Sequence, residues 1–276
     1  MDLLVVGGSG LLGLEVIRQA RLAGHHTVAT FHSHRPAVAD VDWRNLDVRH
    51  RDDVADLVGS ARPAVVVNAA YRQADWATTA DGATHVALAS AAAGAHLVHV
   101  SSDAVFSGGA ARYTEADLPD PTTPYGAAKA AAETAVKGIT PTAVIARTSL
   151  IIGAGNSPHE KRVHALASGT VSGALFTDDV RCPVHVADLA AALLELAASR
   201  SAGICHVAGA DALSRYELGV LIADRDGLDP VALPTALRAG SGLPGPVAVR
   251  LDSTRTQARL RTRVRGAREF LTPDPP

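Results

Sequence analysis

The 276-residue chain has few aromatic residues, four Phe, four Tyr and two Trp, and that scarcity assigns no function by itself. It has two cysteines, Cys182 and Cys205. They lack both the spacing of a zinc knuckle and the density of a disulfide scaffold, so they read as small buried residues of a protein kept in a reducing, cytoplasmic compartment. No metal-ligating pattern stands out elsewhere. Neither sign of charge dominates: 26 Lys and Arg face 28 Asp and Glu, a formal net charge of −2. That balance argues against a nucleic-acid or polyanion binder and favours a small-molecule ligand. Long apolar runs are also missing, because His and Arg interrupt the best candidates, HLVHV and AVIARTSLIIG. No membrane span is expected.

What is present is alternation. Short apolar runs bounded by turn residues fall at Leu3–Val6, Thr27–Thr30, Ala64–Val67, His96–Val100, Ala143–Ala146 and Ile204–Val207, separated by Ala-rich stretches of helical length. Near-continuous apolar strands imply burial on both faces, and strand–helix alternation implies right-handed crossovers. The expected fold class is α/β, a Rossmann-type doubly wound parallel sheet with a smaller C-terminal lobe. The expected division is a nucleotide-binding domain over 1–150, to which 184–207 returns, a substrate-binding lobe from 151–183 and 208–271, and a frayed tail over 272–276. Within 184–207 a helix is expected over Val184–Ala198.

The opening MDLLVVGGSG has no basic leader and no small-residue cleavage site, so it reads as a first strand rather than a signal peptide. It runs into GGSGLLG, which places Gly7, Gly10 and Gly13 between that strand and a helix. A tight turn, close backbone approach to a pyrophosphate and close helix packing each need a residue without a side chain, and the helix N-terminus favours the negative charge. This is the setting of a dinucleotide site. An NAD enzyme is expected to carry an acid at the end of its second strand, but here the chain reads ATFHSHRP. His32, Ser33, His34 and Arg35 could instead hold a 2′-phosphate, which favours NADP(H) over NAD(H).

Further on, PTTPYGAAKAAAET opens a helix at Pro124 and sets Tyr125 and Lys129 four residues apart on one face. A Lys ammonium beside a phenol is expected to lower its pKa, so that Tyr125 can pass a proton to a carbonyl oxygen while Lys129 also holds the cofactor ribose. The strand HLVHV leads straight into Ser101, Ser102 and Asp103, at the carboxyl edge where parallel sheets bind ligands. A Ser hydroxyl there can stabilise charge on the substrate oxygen. Asn68, Ala69 and Ala70 end another strand at the same edge.

Together these segments resemble the extended short-chain dehydrogenase/reductase superfamily, and within it the dTDP-4-dehydrorhamnose reductase family, over most of the chain. GGSGLLG is similar to the family's cofactor turn and brings in Ser9, Leu11 and Leu12 beside the three glycines. LDVRH, with Asp47 and Val48, resembles the adenine-contacting segment, and VNAAY, Asn68 to Tyr71, the fourth-strand motif. In HVSSDAVFSG the resemblance makes Ser102 catalytic and turns Asp103 and Val105 to the substrate. TPYGAAK carries the Tyr/Lys pair, and ARTSLIIG resembles the segment beside the nicotinamide. FTDDVRCPVHVADLA and VRLDST are similar to later landmarks, the latter placing Arg250 at the substrate.

Two segments depart from that pattern. Thr79, in TTADG, stands where the family has an Asn after VNAAY, and the preceding loop YRQADWA is shortened. GLPGPVAVRLD replaces an Arg/Pro-rich stretch, and a lobe poor in aromatics has few rings to stack on a thymine. The expected activity is NADPH-dependent reduction of a keto-sugar, nucleotide-linked or otherwise glycosylated. Two alternatives stay open: a non-catalytic cofactor-binding subunit like that of methionine adenosyltransferase, and a sugar epimerase that retains NAD. Either a homodimer or a monomer is compatible with the sequence.

Overall fold

The computed structural model describes residues 1–153 and 155–272; 273–276 of the expected tail lie outside the described residues. Seven strands form one parallel sheet: β1 (Asp2–Val6), β2 (His26–Phe31), β3 (Asp42–Asn45), β4 (Val65–Asn68), β5 (His96–Ser102), β6 (Val144–Thr148) and β7 (Gly203–His206). Their spatial order is β7-β6-β5-β4-β1-β2-β3, every pairing parallel. The chain starts in the middle of the sheet, adds strands outward through β3, then crosses to the other side of β1. The topological switch point therefore lies between β1 and β4, where this architecture places its ligand crevice.

The period of two along each strand divides the core. Leu3 and Val5 point into a cluster with Val16 and Ile17 of α1 (Leu11–Leu22) and with Leu189 and Leu193 of α6 (Val186–Ala198). Leu4 and Val6 point the other way, to Val54 and Val58 of α2 (Arg51–Ala61), Val86 of α3 (Gly82–Ala92) and Val136 of α4 (Pro124–Ile139). Burial of each such side chain contributes about 1.5–3 kcal/mol. This apolar frame holds the strand ends at which the polar residues sit. A third cluster, built from Leu150, Ile152, Leu166 of α5 (Pro158–Ala167), and Leu218 and Ile222 of α7 (Arg215–Arg225), gathers side chains from both sides of α6 in sequence.

The expected strands are found with ends shifted by one or two residues, and two further departures have a physical reason. The strand β3 has no apolar run: it lies on the sheet edge, only Trp43 among its residues is buried, and the others are polar. The helix expected from Val184 starts at Val186, because Val184 and His185 pair in parallel with Ile151 and Ile152. No helix among the described residues is long and apolar enough to cross a membrane.

Candidate active site

The turn after β1 is packed backbone against backbone. Gly7 has a φ of +81°, and a Cβ there would lie 2.6 Å from the amide nitrogen of Ala70. A Cβ at Gly13 would overlap the Gly7 carbonyl and approach Gly8 Cα to 2.7 Å, so helix α1 sits on the turn only without a side chain at that point. Gly10 differs: a Cβ would meet nothing closer than the Gly7 oxygen at 3.5 Å. It is the N-cap of α1 and offers no side-chain cap, so the first N–H groups of the helix are unclaimed by it. The cradle therefore suits the pyrophosphate of a dinucleotide.

Two clefts meet at this turn, sharing Gly7, Gly10, Ala69 and Tyr71. The smaller, about 200 Å³, runs over the β2 and β3 ends and is lined by Ser9, Thr30, His32, Asp47, Val48 and Ala70, with Arg49 and Arg72 beside them. Asp47 is held by Arg49, whose Nη2 donates to Oδ2 at 2.6 Å, and His32 Nε2 stands 3.5 Å away. That pairing holds the Asp47 carboxyl well below the usual range. Ser33 and Arg35 lie exposed on the loop after β2 and do not line this cleft. Asn68 lies beneath its floor, its Oδ1 accepting from the Ala70 amide at 3.1 Å and its Nδ2 donating to His99 Nδ1 at 3.3 Å.

The larger cleft, about 770 Å³, brings together Leu11, Leu12 and Gly13 with Ser102, Asp103, Tyr125 and Lys129. Helix α4 starts as the sequence predicts, with Pro124 in its first position and Thr123 Oγ accepting from the Gly126 amide at 3.0 Å. One stripe of it carries Tyr125, Lys129 and Glu133. Lys129 is buried, and its Nζ donates to the Val100 carbonyl at 2.9 Å. Tyr71 lies over the ammonium, 5.1 Å from ring centroid to Nζ, and tilts against Tyr125 at 5.9 Å. Burial brings the Lys129 pKa down to about 8, opposed by Glu133.

The expectation that Lys129 lowers the Tyr125 pKa needs correction. Burial foremost, then Tyr71, push the phenol up, and the Ser102 hydroxyl is the group that pulls it down. Tyr125 thus stands as a neutral phenol, the form that can give a proton.

Beneath the stripe, Glu133 is locked: Ser101 Oγ donates to its Oε1 at 2.5 Å and Arg147 Nη2 to its Oε2 at 2.8 Å, with both ion-pair partners buried. Arg147 also donates to the Asp117 carbonyl at 3.1 Å and stacks on Phe106. The network ties α4, β5, β6 and the loop before α4 into one unit, and so fixes where Tyr125 and Lys129 stand. Asp103 accepts from Ser149 Oγ at 2.7 Å and from Ser102 Oγ at 3.3 Å.

Two substrate-side expectations fall away from the cleft. Val105 is fully buried in the cluster of Phe106, Tyr113 and Leu251, and Arg250 meets Tyr113 through its backbone carbonyl without lining the cavity. Thr79, at the position of the family's Asn, serves the chain's own backbone. It is buried, and its Oγ1 donates to the Arg72 carbonyl at 2.8 Å and accepts from the Arg72 amide at 3.1 Å. It pins the short loop that follows Tyr71.

Sequence reasoning missed the far wall of the cleft. His159, Asp179, Arg181, Arg215 and Arg238 line it. Only Asp179 and Arg181 lie in a segment with a recognisable pattern, FTDDVRCPVH. Arg215, at the start of α7, and Arg238 come from distant points of the second half of the chain and have no shared spacing to reveal them. No group of His, Cys, Asp and Glu able to hold a metal occurs among the described residues.

Known proteins share this architecture. The dTDP-4-dehydrorhamnose reductase of Mycobacterium tuberculosis is 32% identical over 245 residues, covering 83% of this chain and 76% of that protein. The methionine adenosyltransferase 2 subunit beta of mouse (Mus musculus) is 30% identical over 241 residues, covering 80% and 71%. A crystal structure of a hypothetical dTDP-4-dehydrorhamnose reductase from Sulfolobus tokodaii superposes with a TM-score of 0.81 at 28% identity, covering 95% of this chain and 96% of that one. The RmlD substrate binding domain family matches residues 1–272, and the chain belongs to that family.

Proposed function

We propose that this protein is an NADPH-dependent reductase of a nucleotide-linked keto-sugar. The observation that carries the reading is the convergence of Ser102, Tyr125 and Lys129 in one cleft that is continuous with the glycine turn. The turn, with Gly10 open to the cavity, and the adenosine-sized cleft beside Asp47 fit a dinucleotide. Bound there, the cofactor supplies a hydride to the carbonyl carbon.

The chain's own residues do the rest. The Ser102 hydroxyl donates to the substrate oxygen and strengthens that bond as charge builds on it. Tyr125, held neutral by its burial, donates its proton to the same oxygen. Lys129 brings a positive charge under the site, with Tyr71 over it and the Val100 carbonyl behind it. Arg35, exposed on the loop after β2, outside the cleft lining and without an ion-pair partner among the described residues, would supply the positive charge for a 2′-phosphate.

The regulatory-subunit reading predicts cofactor binding without turnover, and the complete Ser/Tyr/Lys set favours the enzyme. The test is NADPH oxidation, followed by absorbance, against a panel of dTDP- and UDP-linked keto-sugars. Turnover with at least one of them is expected. Tight NADPH binding with no turnover on any would shift the reading to the non-catalytic subunit.

A further inference from the structure

Tyr71 is 56% exposed, yet the backbone that carries it is fastened on both sides. The residue before it, Ala70, gives its amide to Asn68 Oδ1 at 3.1 Å and packs against the glycine turn at Gly7. The residue after it, Arg72, has both of its backbone groups held by one atom. Its amide donates to Thr79 Oγ1 at 3.1 Å, and its carbonyl accepts from that hydroxyl at 2.8 Å. A hydroxyl can do this because it is donor and acceptor in one. The fastening fixes the direction in which the Tyr71 ring leaves the chain.

Thr79 reaches Arg72 from an irregular helix start. Ala77–Asp81 form a π-helical turn, in which the Gly82 amide donates to the Ala77 carbonyl five residues back, and the turn runs on into α3. Turns of this kind are rare and concentrate at functional sites. Asp75 closes its beginning, accepting from the Thr78 amide at 3.1 Å and from the Thr78 hydroxyl at 2.8 Å. Gly82 seats it on the segment after β3, where a Cβ would meet Val48 Cγ2 at 2.6 Å.

The ring placed in this way covers a charge. Its centroid lies 5.1 Å from Lys129 Nζ and 5.9 Å from the Tyr125 ring, tilted at 48° to it. Lys129 is only 3% exposed. On its inner side the Val100 carbonyl takes one of the three N–H groups of the ammonium. The titratable groups around it are Glu133, one turn on along α4, which favours its charge, Tyr125, one turn back, and His99 on β5, which burial keeps neutral. Tyr71 comes from a different element and lines both clefts, so it stands where they join. A ring face attracts an ammonium, but less strongly than the water it displaces. Kept dry, the charge is little screened and its remaining N–H groups are unclaimed by solvent, which leaves both for a ligand in the cleft.

We propose that Tyr71 is a positioning residue of this site, a cover that keeps water from the Lys129 ammonium, and that Thr79 holds the cover in place through the Arg72 backbone. The use of a dry ammonium rests on the reductase reading, whereas the cover is tested without it.

The chain has three lysines, Lys129, Lys137 and Lys161. Protein labelled with carbon-13 at lysine Cε therefore gives three signals, and the one missing in Lys129→Met belongs to Lys129. Its midpoint is followed by NMR between about pH 6 and about pH 10 without cofactor, in variants that thermal unfolding shows to be folded over that range. A midpoint at about 8 is expected in the unmutated chain. It is expected to stay there in Tyr71→Phe, which keeps the ring, and to rise by about one unit in Tyr71→Ala, where water takes the ring's place. Thr79→Val loses the hydroxyl and releases Arg72, so the midpoint is expected to rise there too, and Thr79→Ser to restore it. In turnover, the alkaline fall of kcat/KM is expected to move up with the midpoint, which loss of structure cannot produce. An unmoved or lowered midpoint in folded Tyr71→Ala overturns the proposal. So does a shift in Tyr71→Phe as large as in Tyr71→Ala, which would trace the effect to the phenol oxygen. An unmoved midpoint in Thr79→Val overturns the part given to Thr79. Keto-sugar reduction with an unmoved midpoint in Tyr71→Ala sinks this inference alone, and the expected midpoints in a protein that reduces no keto-sugar sink the reductase reading alone.

Discussion

Lys129 lies one helical turn beyond Tyr125, yet its ammonium is spent on the Val100 carbonyl at 2.9 Å, and no hydrogen bond joins it to the phenol. The two residues therefore titrate apart. Burial raises the Tyr125 pKa and lowers that of Lys129 to about 8. The group that loses activity first as pH rises is then the lysine, which is charged below about 8 and neutral above it. The kcat/KM for NADPH, which reports ionisations of the free enzyme, is expected to fall above about pH 8 with a single ionisation. A profile that stays flat well into the alkaline range would show that the charge on Lys129 is not used.

The proton itself comes from Tyr125 in this scheme. Tyr125→Phe removes one hydroxyl from a helix whose packing is otherwise intact, and turnover is expected to drop by about 10²–10⁴-fold with NADPH affinity near normal. Ser102→Ala is expected to lower kcat rather than raise KM, because the bond it removes is strongest when the oxygen carries most charge. Steady-state kinetics with calorimetric NADPH titration separates the two effects.

The open position at Gly10 makes a contrast with Gly13. A valine at Gly10 extends into the space a pyrophosphate needs while meeting little of the protein, so Gly10→Val is expected to unfold at the same temperature as the unmutated chain and to lose cofactor binding. Gly13→Ala collides with the turn's own backbone and is expected to lower the unfolding temperature as well. Thermal unfolding with and without NADPH reads both.

The parts of this molecule legible in the sequence are those where a local pattern and a buried frame coincide. The glycine turn, β5 ending in Ser101 and Ser102, and the Tyr125/Lys129 stripe each follow from a few consecutive residues. The edge strand β3 is not legible, because with only Trp43 buried it has no apolar signature. The arginine wall is invisible for another reason. Its members are 34 and 23 residues apart along the chain, Arg181 to Arg215 and Arg215 to Arg238, and only folding of the second half of the chain brings them together. Spacing also misleads on the Tyr125 pKa: it shows that Lys129 is near, but burial, which decides the sign, cannot be read from it.

Cofactor choice tests Arg35 directly. No acid ends β2, and Arg35 is free of ion pairs among the described residues, whereas Arg49 is committed to Asp47. Arg35→Ala is expected to weaken NADPH by about ten- to hundredfold, the loss of one charge-assisted bond of about 1.5–3 kcal/mol, and to leave NADH almost unchanged. Equal use of both cofactors by the unmutated protein would refute the NADPH preference.

The last prediction concerns a histidine that the reaction does not use. His99 is fully buried on β5 under the site, its Nδ1 accepts from Asn68, and its Nε2 has no partner. Burial foremost, with Lys129 adding to it, lowers its pKa from 6.5 to about 3. In the unfolded chain the ring takes a proton below about pH 6.5, while in the folded protein it stays neutral until about pH 3. Unfolding therefore gains a proton between those values. The stability that the neutral ring contributes is complete above pH 6.5 and is lost progressively as pH falls toward about 3. One proton over the roughly 1.5 units between pH 6.5 and pH 5 corresponds to about 2 kcal/mol. His159, its pKa also depressed, adds a loss of the same sign and stays unchanged in the comparison. Chemical denaturation at about pH 7 and about pH 5 is expected to show the unmutated protein losing about 2 kcal/mol more than His99→Gln, whatever the offset between them at the higher pH. Equal losses in the two proteins would mean that His99 is protonated in the folded state, with a counter-charge or water reaching Nε2.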